Sequence, residues 1–225
     1  QKLKIKLHLT VYLTGTDIKK VKMKSNIKPF WATPIAEYMN VELAQELKEY
    51  ILKQDAQGIE SGVAEFIKHN LTESKFDFFH NDEPVIHETI KWICECMKAT
   101  LNTIHASDQN YKIGFNETWY HITQTNGMHD THKHPNCSWC GVFYLDPGDG
   151  EDGWTSFVTP IDSTYLDLGN SFLNDTSLNI MPKEGLLILF PSYLPHGQRL
   201  YTGKKDRIVV AFNMTVHEAP TDAQT

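Results

Sequence analysis

Three histidines lie within six residues near the middle of this 225-residue chain, at His129, His132 and His134. A polar triplet with a glycine, Thr125-Asn126-Gly127, precedes them and predicts a turn. In an extended segment, side chains two positions apart point to the same side, which places His132 and His134 on one face. Neutral imidazole binds zinc, copper, iron and nickel, so this pair predicts the start of a metal site. The alternative is an exposed polar turn whose histidines are solvated.

A fourth histidine, His196, comes after an apolar segment that favours a buried strand. Gly185 turns the chain into that strand and Pro191 ends it, so His196 is predicted to lie in the following loop.

A second strand-like segment begins with a cation, at Arg207. Strand alternation puts Arg207, Val209, Ala211 and Asn213 on one face. An arginine that opens an apolar strand usually needs an anionic partner. The alternative is an ordinary salt bridge at the surface.

The elements that must position these residues differ between the two halves of the chain. Asn40 is predicted to cap a helix whose apolar positions include Leu43 and Leu47. A longer helix is predicted over 84–105, with Pro84 in its first turn and an apolar stripe from Ile86 to Ile104. Short strand-like segments with Gly/Pro turns follow: 111–125, 139–145, 154–159, 185–190 and 207–215. This order predicts a mainly β protein with N-terminal helices, in which the helices pack on an antiparallel sandwich or barrel.

Near the N-terminus, residues 2–13 alternate apolar and basic side chains, which predicts a strand with one basic face. The net charge of −7 argues against a nucleic-acid footprint. No apolar run approaches a membrane span in length, and no signal-peptide core opens the chain, so we expect a cytoplasmic protein.

Four cysteines occur as Cys94-x-Cys96 and Cys137-x-x-Cys140. Such pairs could form a zinc site or a redox pair. On a helix, Cys94 and Cys96 point in different directions, so they are predicted to be packing residues. In a cytoplasmic protein we expect all four thiols to be reduced.

Several motifs, taken in order, resemble one family of enzymes. The segments that carry the resemblance are Ile27–Ile35, His132-x-His134-Pro135, Trp139–Leu145, Pro182–His196 and Arg207–Asn213, with ten residues between His196 and Arg207. They resemble a family of iron(II)- and 2-oxoglutarate-dependent oxygenases of bacteria and phages, within the prolyl-hydroxylase-like superfamily. The resemblance covers most of 27–215 and is strongest over 112–215.

The resemblance implies a double-stranded β-helix, of the jelly-roll or cupin-like kind, with a packed helical support. The order of predicted elements indicates one domain over 1–225, with a strand and helices in 1–110, the barrel in 111–216 and a tail in 217–225. The expected cofactors are Fe(II) and 2-oxoglutarate. Molecular oxygen and a small-molecule or peptide substrate would be the partners, with hydroxylated product, succinate and CO2 released. The oligomeric state stays open, a homodimer included.

Residue by residue, the resemblance places His132 and His196 on the metal. Arg207 would bind the distal carboxylate of 2-oxoglutarate through its planar fork. Strand alternation adds Tyr120, Tyr144 and Asn213 as candidates to line the cosubstrate pocket.

The chain departs from the superfamily at the second ligand position, where His134 replaces the usual aspartate of a two-histidine, one-carboxylate site. Either His134 is the third ligand, or Asp130 or a water molecule takes that place. The His-x-His spacing favours His134. One rival function is a cupin-like three-histidine metalloprotein, an isomerase or a cosubstrate-free dioxygenase, which would leave Arg207 without a role. Another is a metal-bearing binding sandwich without catalysis.

Overall fold

The computed structural model describes residues 33–55, 68–106, 108, 110–160 and 176–219, all within the compact unit Thr33–Thr225. The strand predicted for 2–13 lies outside the described residues. The described elements are β1 (Ala36–Met39), α1 (Val41–Asp55), β2 (Lys68–Glu73), a 3-10 turn (Phe78–His80), α2 (Pro84–His105), β3 (Tyr111–His132), β4 (Trp139–Asp146), β5 (Thr155–Val158), β6 (Ser177–Ile180), β7 (Leu186–Pro191), β8 (His196–Tyr201) and β9 (Arg207–Glu218). The division of the chain into 1–110, 111–216 and 217–225 stays a prediction.

The strands form one curled antiparallel sheet in the spatial order β1-β7-β4-β9-β3-β8-β5-β6, and β2 also pairs with β3. This arrangement confirms the predicted β-rich fold with N-terminal helices. It places β3 between β9 and β8, although β3 lies far from both along the chain. These three strands carry Arg207, His132 and His196, so the sheet brings the sequence-predicted residues to one region.

The long strand β3 changes partner along its length. It pairs with β9 from Tyr111 to Thr123 and with β8 from Gly127 onwards. Between these two parts Asn126 has a φ of +64°, and a Cβ on Gly127 would lie 2.6 Å from the carbonyl oxygen of Asn70. The triplet predicted to form a turn is therefore a bend within a strand, where only glycine leaves room for β2. The bend turns the end of β3, with His132, towards β8.

Both helices form where the apolar pattern predicts them and cover the outer face of the sheet. The side chain of Asn40 accepts from the backbone N–H of Leu43 at 3.1 Å, so Asn40 is the predicted N-cap of α1. Helix α2 spans 84–105 as predicted and buries a stripe in the core formed with the sheet: Ile86, Ile93, Met97 and Leu101. The stripe ends earlier than predicted, because Ile104 in the last turn is 45% exposed.

The prediction of helices first and strands afterwards is wrong in two places. The short strand β1 lies before α1 and pairs with β7, and β2 lies before α2 and pairs with β3. Neither segment has an apolar alternation strong enough to identify it, because its strand conformation depends on the backbone of its partner. His196 is likewise the first residue of β8 and does not lie in a loop.

Candidate functional site

Three histidines converge at one place between β3 and β8. His132 ends β3 and lies directly opposite His196, the first residue of β8. His134 lies two residues beyond β3, and its backbone N–H donates to the carbonyl of Ser192 at 3.4 Å. One ring nitrogen from each histidine lies within 4.8 Å of the other two. We call these three residues the histidine cluster; its spacing fits one metal ion held by imidazole nitrogens.

Two members of the histidine cluster are held in the tautomer that can bind a metal through Nε2. The Nδ1 of His132 lies 2.7 Å from the backbone carbonyl of Asp130, and the Nδ1 of His196 lies 2.9 Å from that of Leu194. A carbonyl only accepts, so each Nδ1 carries the proton and each Nε2 presents a lone pair. Burial, followed by the nearby His132, lowers the pKa of His196 to about 3, so its ring is neutral near pH 7.

The third member, His134, is held by side chains. Its Nε2 lies 3.1 Å from the Nε2 of His132, and its Nδ1 lies 3.3 Å from the Nδ2 of Asn213. Asn213 also donates through Nδ2 to Glu117 Oε2 at 2.8 Å. Asn213 lines the cavity beside His134, and its predicted contact with the cosubstrate stays a prediction.

The two other candidates from the histidine-rich stretch lie differently. Strand alternation predicts that His129, three residues before His132, points to the other face. Its ring centroid is nevertheless 4.2 Å from that of His132, and it lines the same cavity. The β3–β8 register shifts between His129 and His132, so simple alternation does not hold there, and His129 is not a member of the histidine cluster. The side chain of Asp130 is exposed, and its carboxylate is not part of the histidine cluster. The backbone carbonyl of Asp130 contacts the rings of His129 and His132.

Arg207, at the start of β9, is 1% exposed. Its Nη1 donates to the side-chain carbonyl of Gln198 at 2.6 Å, and its guanidinium carbon lies 5.0 Å from the centre of the Tyr144 ring. Among the described residues no carboxylate forms an ion pair with it. The buried Nε of Arg207 and Nε2 of Gln198 have no hydrogen-bond partner within the described part of the chain. Burial lowers the pKa of Arg207, so an anion would restore the stability of its charged form.

The histidine cluster and Arg207 line one cavity of about 310 Å³. Val209, Ala211 and Asn213 line it as well, which confirms the predicted face of β9. Cavities of this size bind small ligands, and a few polar groups in a mostly apolar wall set their orientation.

One candidate residue lies on the wrong face of its strand. Tyr120 is buried in the helix-facing core, where its ring packs edge-on against Phe78 at 5.4 Å. The cavity is lined by its neighbours Trp119 and His121. The alternation was assigned in the wrong phase, because both faces of this part of β3 are buried. Tyr144 supports Arg207 and contacts the hydroxyl of Thr155, but it does not line the cavity.

The structure also brings in residues that the sequence reasoning missed. Gln198 lies two residues after His196 on the same face of β8, and strand alternation would have found it had His196 been placed in a strand. Glu117 stands opposite Asn213 in the β3–β9 register. Glu73, on β2, is buried, and its Oε2 lies 3.3 Å from the Nε2 of His121 at the cavity wall. No local sequence signal marks these pairings.

The two cysteines of the Cys137-x-x-Cys140 motif are free thiols, with their sulfur atoms 3.9 Å apart. Cys140 donates to the side-chain oxygen of Asn213 at 3.3 Å. Burial raises the pKa of both thiols, so they are protonated at neutral pH.

Comparison with known proteins identifies the class. Residues 117–213, which include the histidine cluster and Arg207, match the family model described as "Putative 2OG-Fe(II) oxygenase". This match assigns residues 117–213 to the 2OG-Fe(II) oxygenases, a class of oxidoreductases whose cofactors are Fe(II) and 2-oxoglutarate. A search of curated proteins finds no match to this chain.

Solved structures share the fold at low sequence identity. A prolyl-4-hydroxylase from Pseudomonas putida matches with a TM-score of 0.56 at 14% identity, over 80% of this chain and 92% of its own. A prolyl hydroxylase from Trichoplax adhaerens, in complex with a peptide fragment, matches with a TM-score of 0.56 at 15% identity, over 80% and 83%. HygX from Streptomyces hygroscopicus, with nickel and 2-oxoglutarate bound, matches with a TM-score of 0.51 at 14% identity, over 81% of this chain and 83% of its own. These likenesses establish the double-stranded β-helix fold.

Proposed function

We propose that this protein is a dioxygenase that hydroxylates a C–H bond of a small-molecule or peptide substrate. In the proposed reaction, O2 and 2-oxoglutarate are consumed, one oxygen atom enters the substrate, and succinate and CO2 are released. We assign roles to four residues that line the cavity: His132, His134 and His196 hold the iron, and Arg207 holds the far carboxylate of 2-oxoglutarate.

The observation that carries this proposal is the state of Arg207. A guanidinium that is 1% exposed needs an anionic partner to offset its desolvation, and the described residues provide none. Its Nε and the neighbouring Nε2 of Gln198 are buried donors that await an acceptor. A carboxylate is the ligand that fits a planar guanidinium, since two parallel N–H···O bonds form at once.

The metal assignment is supported by the donor set. Each member of the histidine cluster can offer one ring nitrogen, and two of the three have their Nδ1 satisfied by a backbone carbonyl. Such a partner on the far side of the ring orients a metal-binding histidine. Imidazole suits Fe(II), which supplies, when bound, the activation of oxygen and the decarboxylation of the cosubstrate.

Other residues of the chain position the cosubstrate-binding Arg207 and exclude water from the cavity. Gln198 and Tyr144 hold the guanidinium of Arg207 in place, and Val209 and Phe190 give the cavity an apolar wall. Phe76, which is 45% exposed and packs edge-on against Trp119, lies at the cavity wall. We assign this aromatic pair to the substrate side, since Arg207 of β9 is paired with Thr123 of β3, four residues away from Trp119.

The rival three-histidine metalloprotein is less well supported, because it gives the buried Arg207 no anion. A non-catalytic binding sandwich has the same weakness. The test is an anaerobic titration of the protein with Fe(II) and then with 2-oxoglutarate, followed by a substrate screen for succinate release in air. We expect 2-oxoglutarate to bind the wild-type protein after Fe(II) has been added, and not to bind the His196→Ala variant treated in the same way. Fe(II) binding without 2-oxoglutarate binding would contradict the proposal and favour the rival.

A further inference from the structure

Asn213 lies between two strands and contacts a side chain on each. In the sheet register it is opposite Glu117 of β3 on one side and Cys140 of β4 on the other. Its Nδ2 donates to Glu117 Oε2 at 2.8 Å, and its Oδ1 accepts from the thiol of Cys140 at 3.3 Å. The same Nδ2 lies 3.3 Å from Nδ1 of His134.

These neighbours determine which way the amide of Asn213 faces. A carboxylate only accepts hydrogen bonds, so Glu117 must receive the NH2 group. Burial raises the pKa of Cys140, so its sulfur stays protonated near neutral pH and donates to the amide oxygen. Both neighbours favour the same orientation, and both hydrogens of the NH2 group are then used, one on Glu117 and one on His134.

This orientation sets His134 apart from the other two histidines. A donor aimed at Nδ1 of His134 needs a lone pair there, which places the ring proton on Nε2. His132 and His196 have the opposite tautomer, because backbone carbonyls accept from their Nδ1. The Nε2–H of His134 then donates to the unprotonated Nε2 of His132, which lies 3.1 Å away.

We propose that Asn213, oriented by Glu117 and Cys140, holds His134 as the Nε2–H tautomer. In this tautomer His134 cannot bind a metal through Nε2, so it becomes the third ligand only after its ring proton has moved. This inference rests on the proposed iron site at the histidine cluster. For His134 to bind a metal through Nε2, the ring proton must move from Nε2 to Nδ1. The Asn213 amide must then turn to accept from Nδ1, which breaks its bonds to Glu117 and Cys140. Asn213 is a positioning residue, and the Cys140 thiol of the Cys-x-x-Cys motif has a role as its donor.

The first test reads the tautomers directly, without metal. The chelator-treated protein, labelled with ¹⁵N-histidine, is examined by long-range ¹H–¹⁵N NMR, with His132→Gln, His134→Gln and His196→Gln used to assign the signals. We expect protonated Nδ1 in His132 and His196, and protonated Nε2 in His134. A protonated Nδ1 in His134 would overturn the inference, whether or not the cluster binds metal.

The second test measures the affinity for Zn(II), a diamagnetic probe, by calorimetry. Asn213→Asp presents an acceptor to Nδ1 of His134, so we expect binding about tenfold tighter and a change of tautomer to Nδ1–H. Asn116→Asp is the matched control, because it adds one negative charge at an exposed residue beside Glu117; we expect a change of about twofold or less. Asn213→Leu removes the amide, and we expect affinity equal to or above that of the wild type.

The outcomes separate this inference from the function on which it rests. Equal affinity in Asn213→Asp and Asn116→Asp would overturn it, because the gain would then reflect charge alone. A loss of about tenfold in Asn213→Leu would also overturn it, since that is the effect of removing a simple supporting partner. If Zn(II) leaves the signals of all three histidines unchanged, the proposed metal site fails, while the tautomer measurement still decides the role of Asn213.

Discussion

The guanidinium of Arg207 donates to the side-chain oxygen of Gln198 at 2.6 Å. Gln198 lies two positions after the candidate metal ligand His196, and Arg207 lies eleven positions after it. Gln198 is neutral, so this contact orients Arg207 and leaves its charge uncompensated. The oriented, buried cation is ready to meet an anion in the cavity.

Replacing Arg207 by lysine should therefore weaken 2-oxoglutarate binding. Lysine keeps the charge but loses the planar fork, and we expect a cost of about 1.5–3 kcal/mol for the charge-assisted pair. Calorimetric titration of the anaerobic Fe(II) protein measures it. Arg199→Lys is the control, because Arg199 lies next to Gln198 but is exposed. Equal affinity in Arg207→Lys and wild type would remove the main support for the cosubstrate site.

Substitutions in the histidine-rich stretch should affect metal binding unequally. We expect His132→Ala and His196→Ala to abolish tight Fe(II) binding, because each removes a ring nitrogen of the histidine cluster. His129→Ala should reduce it by about tenfold or less, since the His129 ring packs against His132 outside the cluster. Anaerobic Fe(II) titration gives all three affinities.

Asp130→Asn tests the remaining ligand alternative in the same titration. The carboxylate of Asp130 lies outside the histidine cluster, and its backbone carbonyl, which contacts His132, is kept in the variant. We expect unchanged Fe(II) affinity. A loss as large as that of His196→Ala would instead make Asp130 the third ligand.

The buried thiols should react slowly at pH 8. Burial raises the pKa of Cys96 to about 12, and it also raises the pKa of Cys140. Only the thiolate reacts, so a raised pKa lowers the reactive fraction at pH 8, and the rate should increase as the pH approaches the pKa. We expect alkylation by iodoacetamide about tenfold or more slower than in the urea-unfolded chain, followed by mass spectrometry. Equal rates for Cys96 in both states would contradict this.

Gly141 should tolerate no larger side chain. A Cβ at this position in β4 would overlap the ring of Phe212 and lie 3.0 Å from Leu189. We expect Gly141→Ala to lower the free energy of unfolding by about 1–3 kcal/mol through overpacking. Denaturant unfolding measures the change. Gly114→Ala is the matched control, because a Cβ there meets nothing within 4 Å, and a loss as large in this variant would refute the packing argument.

The sequence by itself predicted the features that depend on local pattern. The apolar stripe and Pro84 predicted helix α2 at the bounds that the structure shows. Asn40 marked the start of α1 because capping needs only the next few backbone N–H groups. The motif order and the His-x-His spacing indicated the histidine cluster, and strand alternation predicted the cavity face of β9.

Only the tertiary structure decided the features that depend on pairing between distant strands. The bend at Asn126 and Gly127 sends β3 from β9 to β8 and sets His132 opposite His196, a register that no local pattern contains. The phase of Tyr120 was mistaken because both faces of its strand are buried, so apolar character could not tell one face from the other. The contacts of Asn213 with β3, β4 and His134 form only in the assembled sheet, because hydrogen bonds between distant residues require the fold that brings the atoms within reach.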